Sequence, residues 1–210
     1  MKGYIYAFRN THQEVNGKLV IEIMNGKTKN WRMGPPMPKP LAGHCAIRDW
    51  DVIYVIGSAD STLEVFLFNI TTQNWTTLHN NQNSSIDNAP TARQDFACAL
   101  SDDKNVIYLT GGNLTKNGTI LNEFYTFNIR KHIWTPMMQI SQPRSGHIMT
   151  TFQNLPTIVG GVDDKNKVLV TMESLHNHYN WTVLSYKLTN GRKNFGVTRV
   201  PTYLLPPSFS

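Results

Sequence analysis

A unit of four short β-type runs occurs four times along this chain. It is clearest between residues 106 and 152, where a strand-like run ends in Gly111-Gly112, a second run follows at 121–129, Trp134 begins a third, and Pro143-Arg-Ser-Gly-His leads into a fourth. The repeated tryptophans lie 44, 59 and 47 residues apart, at Trp31, Trp75, Trp134 and Trp181. The long middle interval contains a polar insertion at 79–88. Four β segments per period, without helical periodicity, are typical of a propeller blade.

The repeat predicts one all-β domain at 1–200, with units at about 3–40, 41–90, 91–143 and 144–200, and an irregular tail at 201–210. One domain is expected because each unit buries its faces only against its neighbours. The first unit lacks the opening strand of the others, and residues 192–200 look like such a strand with no blade after it. Either that strand closes a four-bladed ring, or the four blades are part of a larger ring, which we favour.

Composition and charge set broad limits on partners. The formal net charge is +6, but the basic residues are scattered among turns, so we expect no nucleic-acid partner. No apolar run reaches membrane-spanning length and the first residues lack the apolar core of a signal peptide, so we expect no membrane partner and a cytoplasmic protein.

The two cysteines, Cys45 and Cys98, occupy matching strands of consecutive units but are offset by one position when the units are aligned. Because side chains alternate between the faces of a strand, the two thiols should point to opposite faces. The sequence therefore predicts two buried, unbridged thiols.

In its motifs the unit resembles the kelch repeat. The double glycine is Gly111-Gly112 and Gly160-Gly161, weakened to Gly57-Ser58 in the second unit and replaced by Phe8-Arg9 in the first. An aromatic residue stands seven positions before the tryptophan at Phe68 and Phe127, but Met24 and Ser174 replace it in the outer units. The resemblance implies a kelch-type β-propeller with four four-stranded blades, in a family whose rings usually have six. Paired glycines allow the backbone to turn where a side chain would meet the neighbouring blade, and the aromatic residues supply core area.

Candidate chemical groups do not form a recognisable active site. His44 and His147 occupy the repeat's own histidine position, and His176 and His178 lie in a turn. The pairs Asp102-Asp103 and Asp163-Asp164 stand in turns beside lysines, where aspartate commonly shapes the backbone. Galactose-oxidase-like enzymes share the kelch propeller but need tyrosine, cysteine and histidine ligands for copper, a set that cannot be placed here. We expect neither an enzyme nor a metal or other cofactor, and keep such an oxidase as a remote alternative.

Six Asn-x-Ser/Thr triplets raise the alternative of a secreted or cell-surface, N-glycosylated recognition module. They begin at Asn69, Asn74, Asn83, Asn113, Asn117 and Asn180. Since the repeat's own turns generate Asn-Trp-Thr twice, the excess over chance is small, and the extracellular location stays an alternative.

The resemblance also implies a function, because loops on one face of a propeller are where partners bind. In kelch-type substrate adaptors of ubiquitin ligases, that face includes the positions just after the repeat arginine and the loop after the double glycine. Carried over by position, the candidate partner-binding residues are Ser58, Asp60, Gln94, Asp95, Asn113, Lys116, Ser145, Gly146, Asp163, Lys165, Lys193 and Asn194. We therefore expect a non-enzymatic module that binds another protein or peptide.

Overall fold

The computed structural model describes residues 3–8, 20–59, 61–78, 89–152, 155–177 and 180–197, and in these ranges every regular element is a β-strand. The first blade contains β1 (Tyr4–Ala7), β2 (Val20–Asn25) and β3 (Trp31–Pro36), in that order. The second blade is an antiparallel sheet of four strands in sequence order, β4 (Ala42–Asp49), β5 (Val52–Ala59), β6 (Thr62–Asn69) and β7 (Trp75–Thr77).

The third and fourth blades have the same four-stranded order. The third contains β9 (Ala97–Leu100), β10 (Val106–Thr110), β12 (Phe124–Asn128) and β13 (Ile133–Met137), with a separate two-stranded ladder of β8 (Arg93–Gln94) and β11 (Asn113–Leu114). The fourth contains β14 (Ile148–Phe152), β15 (Leu155–Val159), β16 (Met172–His176) and β17 (Asn180–Val183). The all-β propeller architecture is confirmed, while the number of blades in the complete ring stays a prediction.

The outer hairpins of the first three blades use one turn design. The side-chain Oδ1 of Asn25 accepts bonds from the backbone N–H groups of Lys27 and Thr28, and Asn69 and Asn128 do the same for the two matching residues of their turns. Asparagine favours such turns because its short side chain replaces a backbone acceptor. This turn fixes the register of each outer strand pair.

Each joint between blades contains its own apolar core. Ile21 and Ile23 of the first blade pack with Phe66 and Phe68 of the second, and equivalent cores join the second blade to the third and the third to the fourth. Trp134 is buried in one of these cores, as the sequence predicts. Trp31 is 51% exposed, because no described blade packs on the side of the first blade that carries it.

The cysteine prediction is wrong, because Cys45 and Cys98 form a disulfide with their Cα atoms 6.2 Å apart. They do lie on opposite faces of their own sheets. Cys98 on β9 faces the second blade and belongs to the core between the second and third blades, and Cys45 on β4 packs against that same core. Opposite faces of adjacent blades confront each other, so the offset that argued against a bridge brings the two sulfur atoms together.

The strand expected at 192–200 is not found in the part of it that the structure describes. Residues 192–197 form no strand, and residues 198–200 lie outside the described residues. The segment nevertheless reaches the position of an inner strand, because Asn194 donates its backbone N–H to Gly146 O at 2.8 Å.

Candidate binding face

Two buried arginines support one face of the propeller. Arg93 begins the inner part of the third blade, and its guanidinium donates to Glu123 Oε2 at 2.7 Å and to the carbonyl of Gly111 at 3.2 Å. Its Nε donates to Thr91 O, and the ring of Tyr125 lies 5.6 Å from Cζ. The charged group is therefore occupied within its own blade, and Arg93 is a structural residue.

Arg144 has the same role in the fourth blade and is fully buried with its partner Glu173. Its Nη1 donates to Gly160 O at 2.8 Å, and its Nη2 to Thr171 Oγ1 at 2.9 Å and to the Glu173 carboxylate. Burial lowers the pKa of Arg144, and the charge of Glu173 opposes that shift. A buried guanidinium needs such partners because an uncompensated buried charge is costly.

Backbone hydrogen bonds from the second glycine of each pair connect a blade to the segment that follows it. Gly112 donates its N–H to Arg144 O at 2.8 Å, and Gly161 donates to Arg192 O at 2.7 Å. Gly111 has a positive φ of 58°, and a Cβ there would lie 2.8 Å from Cε1 of His147. A side chain at Gly111 is excluded because the next blade's carbonyl and imidazole occupy the space it needs.

The side chain of His147 is buried between the third and fourth blades. Its Nε2 is 2.9 Å from Thr110 Oγ1, while Nδ1 is buried without a partner. Burial, together with the nearby charge of Arg144, lowers the pKa of His147 to about 3. The imidazole is therefore neutral at physiological pH and serves packing between blades. His44 lies in the corresponding position beside Phe8, and burial lowers its pKa as well.

Backbone hydrogen bonds continue around the mouth of the central channel. Gly146 donates to Asp95 O, and Asn194 donates to Gly146 O, both at 2.8 Å. The channel between these inner segments is a cavity of about 420 Å³, walled by β4, β9, β14 and residues 194–197. We name the surface around this mouth the glycine face, formed by segments 91–95, 112–119, 143–146, 161–168 and 191–195.

Six of the predicted partner-binding residues are exposed on the glycine face. They are Gln94, Asp95, Lys116, Lys165, Lys193 and Asn194. Asn113 is half-buried and pairs with Gln94 in the ladder of β8 and β11. The sequence pattern therefore brings residues from four separate segments onto one surface.

Four other predicted residues are buried, and a partner cannot contact their side chains. Ser58 Oγ accepts from Arg93 N at 2.8 Å and donates to Arg93 O at 2.6 Å, so it joins the second and third blades. Asp163 accepts from the N–H groups of Lys165 and Lys167 and shapes its own turn. Ser145 is buried and exchanges backbone hydrogen bonds with Val162, and the buried Gly146 donates its N–H to Asp95 O. Asp60 lies outside the described residues.

Two further exposed residues, Lys167 and Arg192, belong to the same face. Position-by-position transfer missed them because it selected the residues just after the repeat arginine and early in the loop. The signal was present in the sequence, since Lys167 is two residues beyond Lys165 and Arg192 occupies the repeat-arginine position after the fourth blade. Unlike Arg93 and Arg144, Arg192 is exposed.

The candidate glycosylation sites are distributed unevenly. Asn74, Asn117 and Asn180 are exposed, whereas Asn69 and Asn113 are half-buried. The Asn69 side chain is also engaged in its turn, and Asn83 lies outside the described residues. The three exposed asparagines are accessible to a glycan.

Within the described ranges, no three His, Cys, Asp or Glu side chains are close enough to hold a metal ion. His176 is half-buried near the end of β16, and His178 is outside those ranges. The Asp102-Asp103 pair shapes a turn: hydrogen bonds from Ser101 and Asn105 lower the pKa of Asp103 to about 2. No helix in the described part of the chain is long and apolar enough to cross a membrane.

Comparison with known proteins extends these observations. No protein-family model matches the chain. A RING finger domain and kelch repeat-containing protein of Dictyostelium discoideum is 30% identical over 187 residues, which are 87% of this chain and 17% of that protein. The solved structure of YjhT, a kelch-type β-propeller, matches with a TM-score of 0.58 and 18% identity over 79% of this chain and 52% of that one. The chain thus spans about a sixth of the relative and half of the solved structure. The repeat, the blade architecture and these similarities show that the chain has the kelch-type β-propeller fold and that its repeats resemble those of kelch-repeat proteins.

Proposed function

We propose that this protein is a non-enzymatic interaction module whose partner, another protein or peptide, binds the glycine face. The proposal rests on the contrast, within that face, between exposed side chains and a backbone that is held in place by hydrogen bonds. Exposed polar and charged side chains stand on loops whose backbone is held by Arg93, Arg144 and the bonds from Gly112 and Gly161. Loops whose backbone is held in place lose less entropy on binding, which favours recognition of a folded or extended partner.

We further propose the more specific role of a substrate-recognition propeller in a kelch-type ubiquitin-ligase adaptor, located in the cytoplasm. The name of the Dictyostelium relative combines a RING finger domain with kelch repeats, which supports an association between such a propeller and a ligase.

Site-specific photocrosslinking tests the interaction face. A photoreactive amino acid is placed at Gln94 or Lys193 on the glycine face, or at Arg130 or Lys131 on the outer hairpin of the third blade, all of which are exposed. Illumination in cells should give a discrete protein adduct from the first pair and not from the second. Equal labelling from both pairs, or adducts from the hairpin positions alone, would contradict the proposed face.

A secreted or cell-surface recognition module is the second candidate, and the disulfide favours it. Disulfides persist mainly in oxidising compartments, and Asn74, Asn117 and Asn180 are exposed glycan acceptors. This candidate keeps the same binding face but changes the partner to an extracellular protein.

Intact mass separates the two candidates. The native protein is weighed before and after enzymatic removal of N-linked sugar, with thiols alkylated beforehand without reductant. Loss of glycan mass and no alkylation would support the extracellular module. An unchanged mass with two alkylated cysteines would support the cytoplasmic adaptor.

A further inference from the structure

We propose that the glycine face recognises an acidic polypeptide segment, through a basic cluster formed by Lys116, Lys165, Lys167, Arg192 and Lys193. This inference rests on the proposed function, because it names the chemistry of the partner at the same face. All five side chains are exposed, and they come from one loop of the third blade, one loop of the fourth blade and the segment after the fourth blade.

A continuous set of backbone bonds places these loops side by side. Thr115 donates to Ala92 O, which anchors the loop that carries Lys116 beside the inner segment of the third blade. Ser145 pairs with Val162, which ties the next inner segment to the loop of Lys165 and Lys167. Gly161 donates to Arg192 O at 2.7 Å, bringing Arg192 and Lys193 to that same loop.

The charges of the glycine face are unbalanced. Its described segments expose five basic side chains but only two acidic ones, Asp95 and Asp164. The third carboxylate, Asp163, is buried and accepts bonds from its own turn. None of the five cations forms a salt bridge with a carboxylate among the described residues. Excess unpaired charge on one face attracts partners of the opposite sign and increases their association rate.

The composition of the face favours a peptide over a nucleic acid. Single-stranded nucleic acids need aromatic platforms for their bases, and Phe195, which is the aromatic residue in these segments, is half-buried. Asp95 and Asp164 would repel an unbroken phosphate backbone, whereas a peptide can place its carboxylates between them. Gln94 and Asn194 add neutral donors and acceptors that suit a peptide backbone.

Fluorescence anisotropy on the folded chain tests the inference. The probes are a labelled dodecapeptide of alternating Glu and Ser, its Gln-for-Glu counterpart, and a single-stranded oligonucleotide of equal charge. The variants are K165E/K193E on the cluster and the matched control K27E/K131E on exposed outer hairpins, which changes net charge by the same amount. Circular dichroism confirms that each variant is folded.

The acidic peptide should bind the wild type, weaken with added salt, and lose about tenfold in affinity with K165E/K193E but less than about twofold with K27E/K131E. No detectable binding, equal loss in both variants, equal binding of the Gln peptide, or tighter binding of the oligonucleotide would overturn the inference. If photocrosslinks still form at Gln94 and Lys193 in those cases, the proposed interaction face survives and the acidic partner alone is rejected.

Discussion

The second and fourth blades carry different side chains at the position of the repeat arginine. In the fourth blade the repeat arginine, Arg144, is buried with Glu173 and links three positions of its own sheet. In the second blade the equivalent position is the buried Leu41, and the carboxylate of Glu64 is bound by Lys39 at 2.6 Å instead. Lys39 is 46% exposed and Glu64 is 20% exposed, so the lysine end of this ion pair is in contact with solvent.

The joints that follow from these two designs also differ. His147 of the fourth blade inserts a neutral imidazole against Thr110 and Gly111 of the third. The second blade places the corresponding His44 beside Phe8 of the first, and it is in addition linked covalently to the third through Cys45 and Cys98. The comparison teaches that the repeat-arginine position can be occupied by a buried ion pair or by a buried apolar residue in the same fold.

The largest effect is expected from Arg144→Met. Removing one member of a buried pair leaves Glu173 charged without its partner, which typically costs about 3–5 kcal/mol. Chemical denaturation should show this loss in the free energy of unfolding. The double variant R144M/E173L should recover much of it, because no uncompensated charge remains. A loss below about 1 kcal/mol for R144M would show that the fourth blade does not depend on the pair.

Removal of the disulfide should have the second-largest effect on the free energy of unfolding. The variant C45A/C98A removes a cross-link between residues 53 positions apart, and such cross-links contribute about 2–4 kcal/mol by restricting the unfolded chain. The denaturation midpoint of the wild type should fall towards that of the variant when reductant is added, while the variant should not respond. An unchanged wild-type midpoint under reducing conditions would show that the disulfide does not stabilise the contact between the second and third blades.

Lowering the pH should destabilise the contact between the third and fourth blades, because His147 is buried there. Its folded-state pKa of about 3 lies below the unfolded value near 6.5, so the unfolded chain takes up a proton first as pH falls. The stabilisation present above pH 6.5 is therefore lost towards pH 3, by about 2 kcal/mol on reaching pH 5. His147→Phe copies Phe96 of the third blade and should flatten this part of the pH profile of unfolding. An unaltered profile would assign the acid sensitivity elsewhere, for example to His44, whose pKa burial also lowers.

The propeller itself was predictable because its determinants repeat. The tryptophans, the Gly-Gly pairs and the Asn turns recur in register, and each acts on its immediate neighbours, so four copies reinforce one interpretation. Gly111 shows this directly: the expected collision with the next blade is with Arg144 and His147. Of the candidate binding residues, those in exposed loops, such as Lys165 and Lys193, were placed on one face by the repeat alone.

The errors at Cys45, Cys98 and Ser58 concern contacts between blades, which a repeat pattern does not describe. The Cys45–Cys98 bridge depends on opposite faces of two sheets confronting each other. The burial of Ser58 depends on the backbone of Arg93 in the next blade, and no local pattern signals it. In the second blade Leu41 stands at the repeat-arginine position. That Lys39 supplies the cation for Glu64 is recognised only from the ion pair in the structure.

The smallest effect is expected from Lys39→Met, the counterpart of R144M in the second blade. Because the lysine is 46% exposed, its ion pair with Glu64 is screened by water and salt and should contribute less than about 1 kcal/mol. The same denaturation experiment measures it, and adding salt to the wild type should reproduce part of the loss. A penalty comparable to that of R144M would mean that Glu64 depends on Lys39 as Glu173 depends on Arg144. The two blades would then share one electrostatic design despite their different residues, and the apolar contact of Leu41 would not have replaced it.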